Sequence, residues 1–92
     1  MSVQIGDLTF DRVRYDTGGD VLYLHRADPM DTVDFDASPE GHALRFDAAS
    51  ELIGVTIINV RWLLGHEGKV TITLSERIEV GAAALAQALA AP

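Results

Sequence analysis

Asp16 and Asp20 flank Gly18 and Gly19 in the stretch YDTGGDVLYL, and carboxylates so placed could hold a hard cation, joined by Asp34 and Asp36. Aspartates beside a turn more often accept hydrogen bonds from nearby main-chain N–H groups. No calcium-loop spacing of the D-x-[DN]-x-[DN]-G type occurs, so the turn role is the expectation. His25, His42 and His66 are the histidines, and His25 and His42 become neighbours if their strands pair. Zinc asks for three or four ligands, and with no cysteine and no H-x-x-x-H spacing ordinary hydrogen bonding is expected of them. Ser38, Ser50 and Ser75 could each supply a nucleophile, but no G-x-S-x-G elbow arranges one. Thr17-Gly18-Gly19 follows a strand and leads into another, so no helix N-terminus is offered to a phosphate. The chain is therefore expected to be no enzyme, with no catalytic residue, cofactor or metal site.

Trp62 is the one large aromatic patch, with Arg61 before it and Leu63 and Leu64 after it. Tryptophan and arginine are enriched at interface hot spots, while a lone tryptophan can equally close the open end of a core. Both readings stay open on the residues alone.

The elements that must position these groups are mostly strands. Period-two alternation runs through 10–16, where Asp11, Val13 and Tyr15 share one face, and through 32–37, 42–47 and 70–75. The segments 21–27 and 52–60 are apolar on both faces, and a strand apolar on both sides needs cover on both. That cover is expected from a C-terminal helix, a curled sheet or a second copy of the chain. Turns are expected at Thr17–Gly19, with positive φ at the glycines, at the break Asp28–Asp31, at Ser38–Gly41, at Asp47–Ser50 and at Gly65–Gly68. Residues 60–64 read equally as a helical turn or a strand extension. The alanine-rich tail 81–91, with Leu85 and Leu89 four apart, predicts a short helix that must dock its leucines to persist.

The chain has 92 residues, enough for one domain with a modest core. Fourteen acidic against seven basic residues give a net charge of −7, which repels nucleic acid and attracts a basic protein partner. No cysteine occurs, so disulfides and thiolate chemistry are excluded. The opening MSVQIGDLTF lacks the basic and apolar regions of a signal peptide, and no apolar run approaches the about 18 residues of a membrane span. A cytoplasmic location without membrane or nucleic-acid contact is the expectation.

Tyr15, Asp16, Asp20, Leu22, Tyr23 and Leu24, followed by Phe46, Asp47, Leu52, Gly54, Val55 and Ile57, resemble the domain-of-unknown-function family 2283. That family shows a YD-x-x-x-D-x-L-Y opening and a later D-x-x-x-x-L-x-G-x-E-I-type strand. The resemblance covers about residues 13–60 and departs at Thr56, where an acidic residue is common. It implies a small β-rich domain with no assigned activity and, through relatives that accompany toxin-like genes, an antitoxin-like partner role.

Together these readings predict a single domain over 1–92, mostly β within the α+β class. The architecture expected is an antiparallel β-meander of five to six strands, comprising the family-like core at 13–60, an added strand at 69–75 and a helix at 81–91. The function expected is a non-catalytic protein-interaction or self-association module, most simply a homodimer, that uses Trp62, Leu63, Tyr23, Leu22 and Leu24. The alternatives are an acidic antitoxin-like protein that neutralises a basic toxin, and a metal-binding or enzymatic domain.

Overall fold

The computed structural model describes residues 1–90. Its centre is a five-stranded antiparallel sheet built from β3 (Arg12–Asp16), β4 (Val21–His25), β5 (Asp34–Ala37), β6 (Ala43–Phe46) and β7 (Leu52–Ile58), in the order β3-β4-β7-β6-β5. The chain thus forms a β3–β4 hairpin and a β5–β6–β7 meander, joined where β7 pairs with β4. Meander order holds within each unit. The crossing from β4 to β5, through a short 3-10 turn at Pro29–Asp31, carries the chain to the far edge.

Two further hairpins, β1 (Val3–Ile5) with β2 (Leu8–Phe10) and β8 (Lys69–Thr73) with β9 (Arg77–Gly81), raise the strand number among the described residues to nine. The antiparallel α+β class matches the sequence reading, whereas the five to six strands expected are too few. Phe10 does not continue into the strand that follows. It pairs with Val3 in β2 and is fully buried, and the chain breaks at Asp11 before β3 begins. Residues 60–67 resolve as a helix, α1 (Val60–Glu67), ended by Gly68 at φ 76°, whose N–H donates to the Leu64 carbonyl. The tail forms α2 (Ala82–Ala90), and the last residue of the expected helix, Ala91, lies outside the described residues.

One face of the five-stranded sheet carries the core. Leu22, Leu24, Leu44, Val55 and Ile57 point into it and meet Val3, Ile5 and Phe10 from the first hairpin, Val70, Ile72 and Val80 from the last, and Leu85, Ala88 and Leu89 from α2. Leu85, Ala88 and Leu89 lie three and four apart, so a single stripe of α2 docks. A side chain of this size contributes about 1.5–3 kcal/mol when fully buried, which is how a chain without disulfides holds together.

Strand β7 contains a bulge. Arg45 pairs with Gly54 and Phe46 with Leu52, so Ile53 has no partner on β6. The extra residue returns Leu52 to the core side, so that both Leu52 and Val55 are buried there. At the far edge, every residue of β5 is exposed, and the N–H groups of Phe35 and Ala37 donate to the carboxylates of Asp34 and Asp36 before them, at 2.9 and 2.8 Å.

Candidate functional site

The opposite face of the sheet is the one that no helix or hairpin of the described residues covers. Alternation places Arg12 and Arg14 of β3, Tyr23 and His25 of β4, Gly54 and Thr56 of β7, and Ala43 and Arg45 of β6 on it. Register then draws one transverse row from residues scattered along the chain. Arg12 pairs with His25, His25 with Gly54, Gly54 with Arg45, and Arg45 with Phe35.

Gly54 is the hinge of that row. A Cβ there would lie 2.9 Å from His25 Nε2 and 3.2 Å from Arg45 Cβ, so the imidazole leans across the glycine toward β6. His25 Nε2 and Arg45 Nε are both buried, and neither has a hydrogen-bond partner. Burial first, then the positive charges of Arg45 and Arg12, hold His25 below the ordinary imidazole pKa. In the neighbouring row the Arg14 guanidinium lies 4.3 Å from the centre of the Tyr23 ring, and Arg45 lies 5.1 Å from that of Phe35. These groups border a shallow cavity of about 420 Å³. Among the described residues the one ion pair is Lys69 with Glu79, on the last hairpin, so none of these three arginines is paired with a carboxylate.

The residues expected to form an interaction surface divide. Trp62 is 55% exposed and stacks on His66 with ring centres 4.1 Å apart, and Leu63 is half-buried beside it. Tyr23 stands on the uncovered face. Leu22 and Leu24 are wholly buried in the core, so they cannot meet a partner: alternation along β4 turns them to the face that α2 and the outer hairpins cover. The second apolar side inferred for β4 and β7 is present only in part. Outward, Val21 pairs with Ile58 at one end, but the rest of β7 offers Gly54, against which His25 and Arg45 pack, and Thr56.

His25 and His42 do not come together. His25 belongs to the uncovered face, whereas His42, before β6, is buried and accepts the Ile58 N–H at Nδ1 at 3.2 Å. Among the described residues no group of three or more His, Asp or Glu is placed to hold a metal ion. Asp16 accepts the Gly18 N–H at 3.1 Å, as a turn aspartate does. Positive φ in this turn belongs to Asp20, at 55°, and not to Gly18 or Gly19. Gly19 serves close approach instead, since a Cβ there would come within 3.0 Å of the Asp16 carboxylate.

Asp20 does more than the sequence suggested. Helix α1 begins after Asn59, whose side chain makes no capping bond. The carbonyl of Asp20 accepts from Val60 at 3.2 Å, and its carboxylate accepts from Arg61 at 3.0 Å and Trp62 at 3.1 Å. The first three N–H groups of the helix are thus all satisfied by one residue of the β3–β4 turn. The Tyr15 hydroxyl donates to the same carboxylate at 2.8 Å. Burial opposes ionisation of Asp20, but these donors outweigh it and hold its pKa below the ordinary carboxylate value.

Comparison of the chain with protein families, characterised proteins and solved structures returned no match. Among the described residues no helix is long and apolar enough to cross a membrane.

Proposed function

We propose that the protein is a non-catalytic interaction module whose recognition surface is the uncovered face of the five-stranded sheet. The observation that carries this reading is the one-sidedness of the core: the outer hairpins and α2 gather on one face, and the other keeps half-buried Tyr23, His25 and Arg45 beside the exposed Arg14. Tyrosine and arginine are the residue types that concentrate binding energy at interfaces. The carboxylates, histidines and serines weighed for catalysis are engaged in turns, caps and core packing or stand apart, which supports binding over chemistry.

A second reading, self-association, draws on the exposed Trp62–His66 stack. The two readings separate in one experiment, native mass spectrometry of the protein isolated from the cells that make it. If the sheet face is the surface, Arg14→Ala combined with Tyr23→Ala removes the associated chain while Trp62→Ala leaves it. Loss with Trp62→Ala alone assigns binding to α1. A complex that survives both variants overturns both readings. An antitoxin-like complex with a basic partner would instead rest on the surplus carboxylates, and would weaken with salt without responding to either variant.

A further inference from the structure

We infer that the row formed by Arg12, His25 and Arg45 across Gly54 is a carboxylate-binding subsite, and that it receives an Asp or Glu side chain from an acidic segment of a partner protein. The inference rests on the interaction reading above and names the chemistry of its surface.

Arg12, His25 and Arg45 stand in register on β3, β4 and β6, with Gly54 of β7 between the last two, and all three line the same cavity. Neighbouring strands lie about 4.8 Å apart, so Arg12 meets a carboxylate held by His25 and Arg45 through the length of its side chain, whereas the latter two face each other directly across the glycine. Arg45 Nε is a buried donor without a partner, and His25 Nε2, also unpartnered, donates in the tautomer that protonates it. Leaving such groups unsatisfied is costly, although Thr32 Oγ1 and His42 Nε2 are left so elsewhere in the fold. Guanidinium presents a planar fork that matches carboxylate geometry, and the aromatic rings beneath Arg14 and Arg45 cover the flat faces without occupying the N–H edges.

Charge decides among the occupants. The chain holds fourteen acidic residues, yet none pairs with Arg12, Arg14 or Arg45 among the described residues. A second copy docked face to face would bring two sets of three guanidiniums together. A long polyanion such as nucleic acid meets the repulsion of the whole −7 charge, while one or two carboxylates on a short segment meet chiefly the local positive field. Tyr23 and the 63%-exposed Phe35 add aromatic surface beside the charges, which fits a segment that alternates acidic and apolar residues.

The test is two-dimensional NMR of the labelled full-length protein, titrated with the blocked dipeptide acetyl-Phe-Asp-amide and, separately, with acetyl-Phe-Asn-amide. The expected result is saturable perturbation centred on Gly54 and the side-chain signals of His25 and Arg45, with the Asn dipeptide weaker by about tenfold or more. Arg45→Gln should reduce affinity for the Asp dipeptide by a similar factor while leaving the remaining spectrum that of the folded protein. Equal response to both dipeptides would overturn the carboxylate assignment yet leave the face as a binding surface. No saturation at tens of millimolar would overturn the subsite itself, and the interaction reading falls only if the native complex also survives Arg14→Ala with Tyr23→Ala. A short single-stranded DNA that binds the same residues more tightly than the Asp dipeptide would reassign the face to nucleic acid.

Discussion

The carboxylate of Asp20, in the turn between β3 and β4, accepts the main-chain N–H of Trp62 forty-two residues along the chain, at 3.1 Å. Helix α1 therefore has its N-terminal cap supplied from another part of the fold. Asp20→Ala should lower stability by about 1–2 kcal/mol, the range for loss of a capping side chain. Asp20→Asn, which keeps an acceptor oxygen and tolerates positive φ, should lose less. Urea denaturation of the two variants checks the order. Equal losses would show that the charge, and not the acceptor, carries the effect.

Gly54 should resist replacement for a reason local to one contact. In Gly54→Ala the new methyl meets His25 Nε2 and Arg45 Cβ, and the imidazole has more freedom to move than the Arg45 stem. The expected cost is about 1–3 kcal/mol, as for other overpacked sites, together with a displaced His25 ring signal in NMR. An unmoved His25 signal would mean that the strands, not the ring, had shifted.

Stability should be lower at about pH 5.5 than at about pH 7.5 because of His42. Burial, opposed by the Glu40 carboxylate, keeps its folded pKa below the ordinary 6.5. Unfolded chains then bind more protons, so stability is complete above the unfolded value and drains as pH falls toward the folded one. Geometry supplies the cause: Nδ1 accepts from the Ile58 N–H, and protonation there would set two donors against each other. His42→Asn offers a similarly placed oxygen acceptor that does not titrate. Denaturation midpoints at the two pH values should move closer together in that variant, with His25 responsible for what remains.

Glu40 governs a lower window. The Thr73 hydroxyl donates to its carboxylate at 2.6 Å and the Thr73 N–H at 2.9 Å, which ties the β5–β6 turn to β8 and brings its pKa to about 2. Its contribution is full above the unfolded value of 4.5 and is lost as pH falls from there toward 2. Glu40→Gln should remove that part of the acid transition and speed hydrogen exchange in β8. Unchanged exchange would show that the hairpin is held by Val70 and Ile72 alone.

Much of the sheet was legible because its strands are half-buried and alternate cleanly. The alternation through 42–47 puts Leu44 and Phe46 on one side, which is the core side, and Ser38–Gly41 closes as expected with the Gly41 N–H on the Ser38 carbonyl. The added strand expected at 69–75 is β8, whereas the strands of the first hairpin were missed because three residues each, Val3–Ile5 and Leu8–Phe10, hold too few alternations to register. Their signal was the Gly6-Asp7 turn between two alternating triplets, with Gly6 at φ 59°. The candidate site was hidden for another reason. Arg12, His25, Arg45 and Gly54 are unremarkable one by one, and only register across four strands sets them in one row. Leu22 and Leu24 misled as surface candidates because apolar residues on both faces of β4 were read as two buried sides, when the second side carries Tyr23 and His25.

The aspartates of β5 bear on how this protein behaves when it is abundant. A fully exposed edge strand is ordinarily a template on which other chains can add, strand upon strand, into fibrils. Here the donors of Phe35 and Ala37 are already occupied by Asp34 and Asp36 beside them, and an arriving strand would have to displace two carboxylates and face their charge. The edge is thereby closed to its own kind, and concentrated solutions should stay clear of sheet-like aggregates for as long as those two side chains hold the edge donors.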